Sequence, residues 1–469
     1  MTTLIANGTV ISTTGADPAD VLIDGEKIVA LIQPGTELAG SAAAGAETVI
    51  DATGKYVLPG GVDCHTHLEM PVGDIWTADT FETGTRAAAW GGTTTVIDFA
   101  TQMAGEQVRA RLDARFAEAE GNCAIDYGFH MVLGDVTGDS LKEMDALVDE
   151  GISSFKLFMA YPDRLLSDDR QLLLAMQQAA GNGAMIMMHA ENGIAIDLLA
   201  EQAVERGETD PINHGYVRRP ELEAEATHRA IQLAAVGACP LYIVHLSSSH
   251  ALEQVAWARA KGANVFAETC PQYLYLNLED HLGLPDFGGA GYVCSTPLRT
   301  KHEHHHADLW HGLRQNDLSV VSTDHCPFCL NDKAAGGDDF RAIPNGIGGI
   351  EHRMDLLYQG VVQGEISLPR WVELCATTPA RMFGLYPQKG VLAPGSDADV
   401  VVYDPNATWT ISADTHHMAL DYSAFEGFEM QGGVSTVLSR GRVIVDGGAY
   451  HGSPGDGQYL RRGLSSYLV

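Results

Sequence analysis

Hydrophobic positions along the chain fall into two textures. Over residues 1–56 they form strand-length runs, Leu4-Ile5-Ala6, Thr9-Val10-Ile11, Val21-Leu22-Ile23, Ile28-Val29-Ala30-Leu31 and Thr48-Val49-Ile50, separated by Gly, Asn and Asp. Asp24-Gly25 reads as a hairpin turn. From Val57 the runs alternate with helical stretches, the habit of a parallel α/β architecture. Eight runs begin near Val57, Thr93, Ala124, Ser153, Ala184, Leu241, Asn264 and Leu318. One helix between them is expected from Asp79, as N-cap with Glu82 three residues on, to Gly91-Gly92, and another from His250 to Lys261-Gly262. Eight strand–helix units predict a (β/α)8 barrel.

After about Lys389 the strand-and-turn texture returns, in Val391–Asp404 and Val434–Val445. The expected organisation is a (β/α)8 TIM barrel over 57–388 with a small β-sandwich domain built from both chain ends, 1–56 and 389–446. An extended tail follows over 447–469.

The chain has 469 residues, 45% hydrophobic and 19% charged, as in a protein with a substantial core. Its net charge of −32 repels phosphate backbones and anionic lipid, so neither nucleic acid nor membrane is an expected partner. No signal peptide and no stretch long and apolar enough to span a bilayer are read from the sequence. The eight cysteines are scattered, several inside apolar runs, and a reducing cytoplasm is the expected setting.

In a barrel, functional side chains sit where strands end at the C-terminal mouth. Those positions hold His65 and His67, Asp98, His130, Lys156, His189, His245, Glu268 and Asp324. His65 and His67 are spaced i, i+2, so on extended chain they share a face. A buried histidine bonded to backbone explains His189 or His245 taken alone. Four histidines, a lysine and an aspartate closing five strands at one end point instead to zinc or a similar divalent ion. Lys156 shares a strand face with Ser154 and Phe158, and burial there is expected to depress its pKa. It is either a lysine reaching out to solvent or a neutral amine that takes up carbon dioxide, giving a carbamate able to bridge two metals.

Three segments carry a resemblance: Gly60-Gly61-Val62-Asp63-Cys64-His65-Thr66-His67-Leu68-Glu69-Met70-Pro71, Phe155-Lys156-Leu157-Phe158-Met159-Ala160-Tyr161, and Ser322-Thr323-Asp324-His325-Cys326-Pro327-Phe328. Together they resemble the hydantoinase/dihydropyrimidinase branch of the metal-dependent amidohydrolases, and the likeness runs nearly end to end. It implies two divalent ions, usually zinc, with His65, His67 and Asp324 on one, His189 and His245 on the other, and N6-carboxylated Lys156 bridging. It implies attack by a metal-bridging hydroxide, with Asp324 moving the proton and Tyr161 polarising the scissile carbonyl. Backbone groups at Ser295 and Asn345 are implied to hold the amide edge of a cyclic substrate, a 5-substituted hydantoin or a dihydropyrimidine. Met70, Val72 and Phe158 are expected to wall the substituent pocket, and a homotetramer is the implied assembly.

Two departures touch the substrate contacts: Thr296 and Gly348 stand where proline is expected. Dihydroorotase relatives carry an arginine after the HxH-Leu, where this chain has Glu69; allantoinase and a non-catalytic assembly protein of the same fold are further alternatives. His302-Glu303-His304-His305-His306 fits the HExxH pattern but reads as a solvated or helix-start cluster, and Cys326-Pro327-Phe328-Cys329 reads as packing.

Overall fold

A computed structural model describes residues 1–162 and 164–467. Eight parallel strands form one sheet in chain order: β1 (Gly61–Thr66), β2 (Thr93–Gln102), β3 (Asp126–Leu133), β4 (Ser154–Phe158), β5 (Met185–His189), β6 (Leu241–Ile243), β7 (Val265–Thr269) and β8 (Val320–Val321). An isolated parallel bridge between Thr66 and His325 carries β8 back to β1, with His67 N donating to the His325 carbonyl at 2.8 Å. The ring is a barrel.

Side-chain alternation sorts each strand between two cores. Ile97, Phe99, Met185, Met187 and Phe158 pack in the barrel interior with Val62, Tyr242 and Val244. Their neighbours Val96, Ala100, Ile186, Met188, Phe155 and Leu157 pack outward against the helices. Lys156 has the parity of Phe158, so the strand itself turns it inward. β1 carries an extra residue against β2, Asp63 to Thr66 spanning Val96 to Asp98. With this bulge, adjacent Cys64 and His65 both reach Glu268.

The run at Tyr56–Pro59 does not begin the barrel. It lies between Thr9–Ile11 and Val400–Thr410 in a seven-stranded sheet, and the chain passes Gly60 before β1. That sheet draws strands from both flanks, and a four-stranded sheet of Thr2–Ala6, Asp20–Asp24, Lys27–Ile32 and Thr48–Asp51 faces it. Ile5, Val21, Ile23, Val57, Val400, Val402 and Leu438 fill the space between them. Strand Ala16–Pro18 and helix Glu37–Gly45 were not expected from the sequence.

Lys389, fully buried, joins flank to barrel. Its Nζ lies 2.6 Å from Asp126 at the start of β3, 2.7 Å from Asp399 and 3.0 Å from Asp397. The tail, described over 447–467, forms the short strand Ala449–Tyr450 and then runs along β3, with Leu460 N donating to the Tyr127 carbonyl at 2.7 Å.

The helix expected from Asp79 is Phe81–Trp90, and its cap is Thr80 in a reciprocal pair with Thr83. Asp79 is occupied elsewhere, accepting from Thr83 Oγ1 and from Ala419 N and lying 3.0 Å from His325 Nε2. Among the described residues, no helix is long and apolar enough to cross a membrane.

Candidate metal centre

Six side chains from five barrel strands and the turns that follow them meet at the barrel mouth. Nε2 of His65 and Nε2 of His67 each lie 3.2 Å from Asp324 Oδ1, and the ligand atoms of the three are all within 4.8 Å of one another. Lys156 Nζ is 2.8 Å from His65 Nε2. The His245 ring lies 5.5 Å from that of His65 and 4.5 Å from that of His189.

The backbone is bent to aim them. Tyr161, His245 and Asp324 have φ of 60°, 37° and 50°, left-handed conformations that cost a residue with a Cβ about 1–2 kcal/mol. Each follows a barrel strand where the chain turns away from the sheet, and neighbours hold the turns. His245 N donates to Glu268 Oε1 at 3.1 Å and Thr296 Oγ1 to the His245 carbonyl at 2.9 Å. Beside Asp324, Thr323 Oγ1 donates to Asp63 Oδ2 at 2.6 Å. Such strain persists only where surrounding contacts over-determine it, as functional sites do.

A further layer fixes the rings. His65 Nδ1 is hydrogen-bonded to Glu268 Oε1, which leaves Nε2 facing the centre. Tyr242 donates to the other oxygen of Glu268 at 2.8 Å, while burial pushes this carboxyl up to about 7. His189 Nε2 lies 2.7 Å from Glu191, which also accepts from Arg218 at 2.9 Å, so Nδ1 is the nitrogen left over.

Burial lowers the pKa of His65, His189 and His245, which keeps them neutral. It also pulls Lys156 down to about 8, against Asp324 and Glu268. Asp324 resists burial: the surrounding His65, His67 and His245 hold it well below the usual carboxylate range. Neutral imidazoles beside an ionised carboxylate are the donors a divalent cation takes, so the residues present fit such an ion.

A cavity of about 770 Å³ opens over this cluster. His67, Lys156, His189, His245 and Asp324 line its floor, and Tyr161, Ser295 and Asn345 also face it. Met70, Val72 and Phe158 line it too. Burial raises the Tyr161 phenol's pKa, opposed by Arg218 and by the side chains of Ser295 and Asn345.

Three strand positions singled out from sequence have other partners. Asp98 and His130 lie within β2 and β3, as Lys156 lies within β4, but neither joins the cluster. Asp98 binds Arg115 at 2.6 Å and accepts from Thr66, while His130 bonds Ser154 and the Cys64 carbonyl. Glu268 reaches the centre through the His65 ring and the His245 backbone N. The sequence reading missed Glu191 and Arg218, although Glu191 stands i+2 from His189, as His67 does from His65. His302 is exposed, and helix His305–Gln315 begins three residues later, with His305 Nδ1 against Ser249 Oγ at 2.8 Å. Cys326 and Cys329 are free thiols.

Residues 56–444 match the family described as the amidohydrolase family. A D-hydantoinase from Streptomyces coelicolor is 60% identical over 468 residues, covering 100% of this chain and 99% of the relative. A D-hydantoinase from Geobacillus stearothermophilus is 47% identical, with 100% and 98% covered. Among solved structures, a dihydropyrimidinase from Brevibacillus agri superposes with a TM-score of 0.95 at 46% identity, covering 99% of each chain.

Proposed function

From the premise that the chain belongs to the amidohydrolase family, we propose that it is a metal-dependent cyclic amidohydrolase of the hydantoinase/dihydropyrimidinase type. It opens the ring of 5-substituted hydantoins or dihydropyrimidines to N-carbamoyl amino acids. The observation that carries this reading is the meeting of His65, His67, Lys156, His189, His245 and Asp324 under one cavity with Tyr161, Ser295 and Asn345 on its walls.

His65, His67 and Asp324 would hold one divalent ion, His189 and His245 a second, and Lys156, carboxylated on Nζ, both. Zinc suits this set of imidazole and carboxylate donors. When bound, such a pair supplies Lewis acidity and a water activated near neutral pH. Asp324, ionised in the folded site, would be the group that takes the proton from that water and returns it to the leaving ring nitrogen. Tyr161, kept protonated by burial, donates to the carbonyl oxygen as negative charge develops there. Backbone groups at Ser295 and Asn345 orient the ring's amide edge, and Met70, Val72 and Phe158 receive its substituent.

Glu69 argues against a dihydroorotase. Such relatives carry an arginine at this position for the substrate's carboxylate, whereas the Glu69 side chain accepts from Phe81 N at 3.3 Å. Eight free thiols fit a reducing cytoplasm, and the resemblance favours a homotetramer, which light scattering would test.

Ring opening of 5-phenylhydantoin, dihydrouracil, allantoin and dihydroorotate by zinc-loaded protein tests the reading. Turnover of the first two above the others is expected. Absence of ring opening on all four overturns it.

A further inference from the structure

Two segments outside the barrel strands bring Ser295 and Asn345 to the cavity wall, and one lysine joins them. Lys333 lies on the short helix Leu330–Ala334 and is fully buried. Its Nζ donates to three backbone carbonyls, of Val293 at 2.8 Å, Pro344 at 2.7 Å and Gly346 at 2.6 Å. Val293 stands two residues before Ser295, and Pro344 and Gly346 bracket Asn345. Gly346 N also donates to the Val293 carbonyl at 2.9 Å, so the segments touch directly at one point and through the lysine at three.

An ammonium has three N–H donors and a neutral amine two. The cation alone serves all three carbonyls. Among the described residues no carboxylate pairs with it; carbonyl dipoles take that place. Burial pulls its pKa down to about 7, against the Cys294 and Cys326 thiols. An apolar side chain of similar length would avoid this desolvation cost, so packing alone does not account for a lysine here.

We propose that Lys333 is a positioning residue that holds the backbone at Ser295 and Asn345 at the spacing that receives the amide edge of the substrate ring. The inference rests on the ring-opening reading for its substrate and adds to it the group that assembles the binding edge. Lys333 acts through the two segments it ties, not on a reacting atom.

The test compares zinc-loaded wild type with Lys333→Met on 5-phenylhydantoin and on the same compound methylated at its imide nitrogen. Lys333→Met is expected to raise KM for the unmethylated compound by about tenfold, the worth of one good hydrogen bond. Metal content and kcat should stay near wild type, and discrimination against the methylated compound should shrink. Hydrogen exchange over residues 293–297 and 344–347, read without substrate, should quicken in the variant. Unchanged KM and unchanged exchange overturn the proposal, as does a joint fall in kcat and metal content at constant KM. A wild type that opens neither compound sinks the ring-opening reading instead, and exchange still decides the clamp. If Lys333→Met does not fold, Lys333→Gln, with two donors, is measured in the same way, and unchanged exchange there overturns the proposal.

Discussion

Lys156 Nζ lies 2.8 Å from His65 Nε2, with the Phe99 and Phe158 rings 4.4 and 5.0 Å away. An amine in such a place has little water to solvate its cation, and a carbamate on it would carry the negative charge that two cations need between them. Lys156→Ala is therefore expected to lose bound metal and activity together, read as metal per chain and turnover. Retained turnover would remove the bridging role. Intact-protein mass should show one carbon dioxide per chain in the wild type and none in the variant.

Glu268 touches His65 and not the cavity, so its contribution is orientation. Glu268→Gln keeps the shape and removes the charge that fixes the Nδ1 proton. Metal affinity should fall by about 10–100-fold, as for other partners of ligating histidines. Competition with a chelator measures it, and affinity equal to wild type would assign Glu268 to packing.

Tyr161→Phe should retain metal while kcat drops by about 10²–10³-fold, the cost of losing one oxyanion donor. His302→Ala, on the exposed side chain before helix His305–Gln315, should change neither quantity. A Tyr161→Phe enzyme at full kcat would return the phenol to a wall residue.

Lys389 is the hinge pin between flank and barrel. Three carboxylates, of Asp399, Asp126 and Asp397, hold its pKa above the ordinary lysine value despite burial. Removing one member of a buried ion pair costs about 3–5 kcal/mol. Lys389→Met should lower the free energy of unfolding by that amount, read from a lower midpoint in denaturant, while the folded fraction keeps its kcat. A midpoint equal to wild type would mean that the carboxylates find other partners.

Acid should weaken the fold through His352. Burial pulls its pKa down to about 4, partly offset by Glu351, and both ring nitrogens lack a partner among the described residues. Between that value and the ordinary one near ~6.5, the unfolded chain binds a proton that the folded chain refuses. Stability from this group is thus whole above ~6.5 and declines as pH falls, by at most about 1.4 kcal/mol per pH unit. His352→Phe should show a smaller drop in melting temperature between about pH 6.5 and 4. An identical slope would assign the acid sensitivity elsewhere.

The barrel was legible because strand-end chemistry and two-residue alternation coincide in one stretch: Ser154, Lys156 and Phe158 share parity, and the interior core holds that parity. His65, His67 and Asp324 could be found from position alone. Asp98 and His130 could not be told from ligands, since a hydrogen bond to Arg115 or to a backbone carbonyl leaves no mark on a strand pattern. Tyr56–Pro59 reads as apolar extended chain whichever sheet it joins, and only its partner at Val400–Thr410 decides. Asp79 looks like a helix cap until His325, far along the chain, is seen to occupy it. Glu191 and Lys333 depend on contacts between distant segments, which periodicity does not encode.

Strand Tyr56–Pro59 is hydrogen-bonded on one side to Thr9–Ile11 and on the other to Val400–Thr410. The whole barrel is therefore a loop that must close before the flanking sheet has its middle. Closing so long a loop is entropically slow and places this sheet among the late events of folding. A protease cut within the barrel would thus remove the covalent tether between the two flanks and leave strand pairing and packing alone to hold them together.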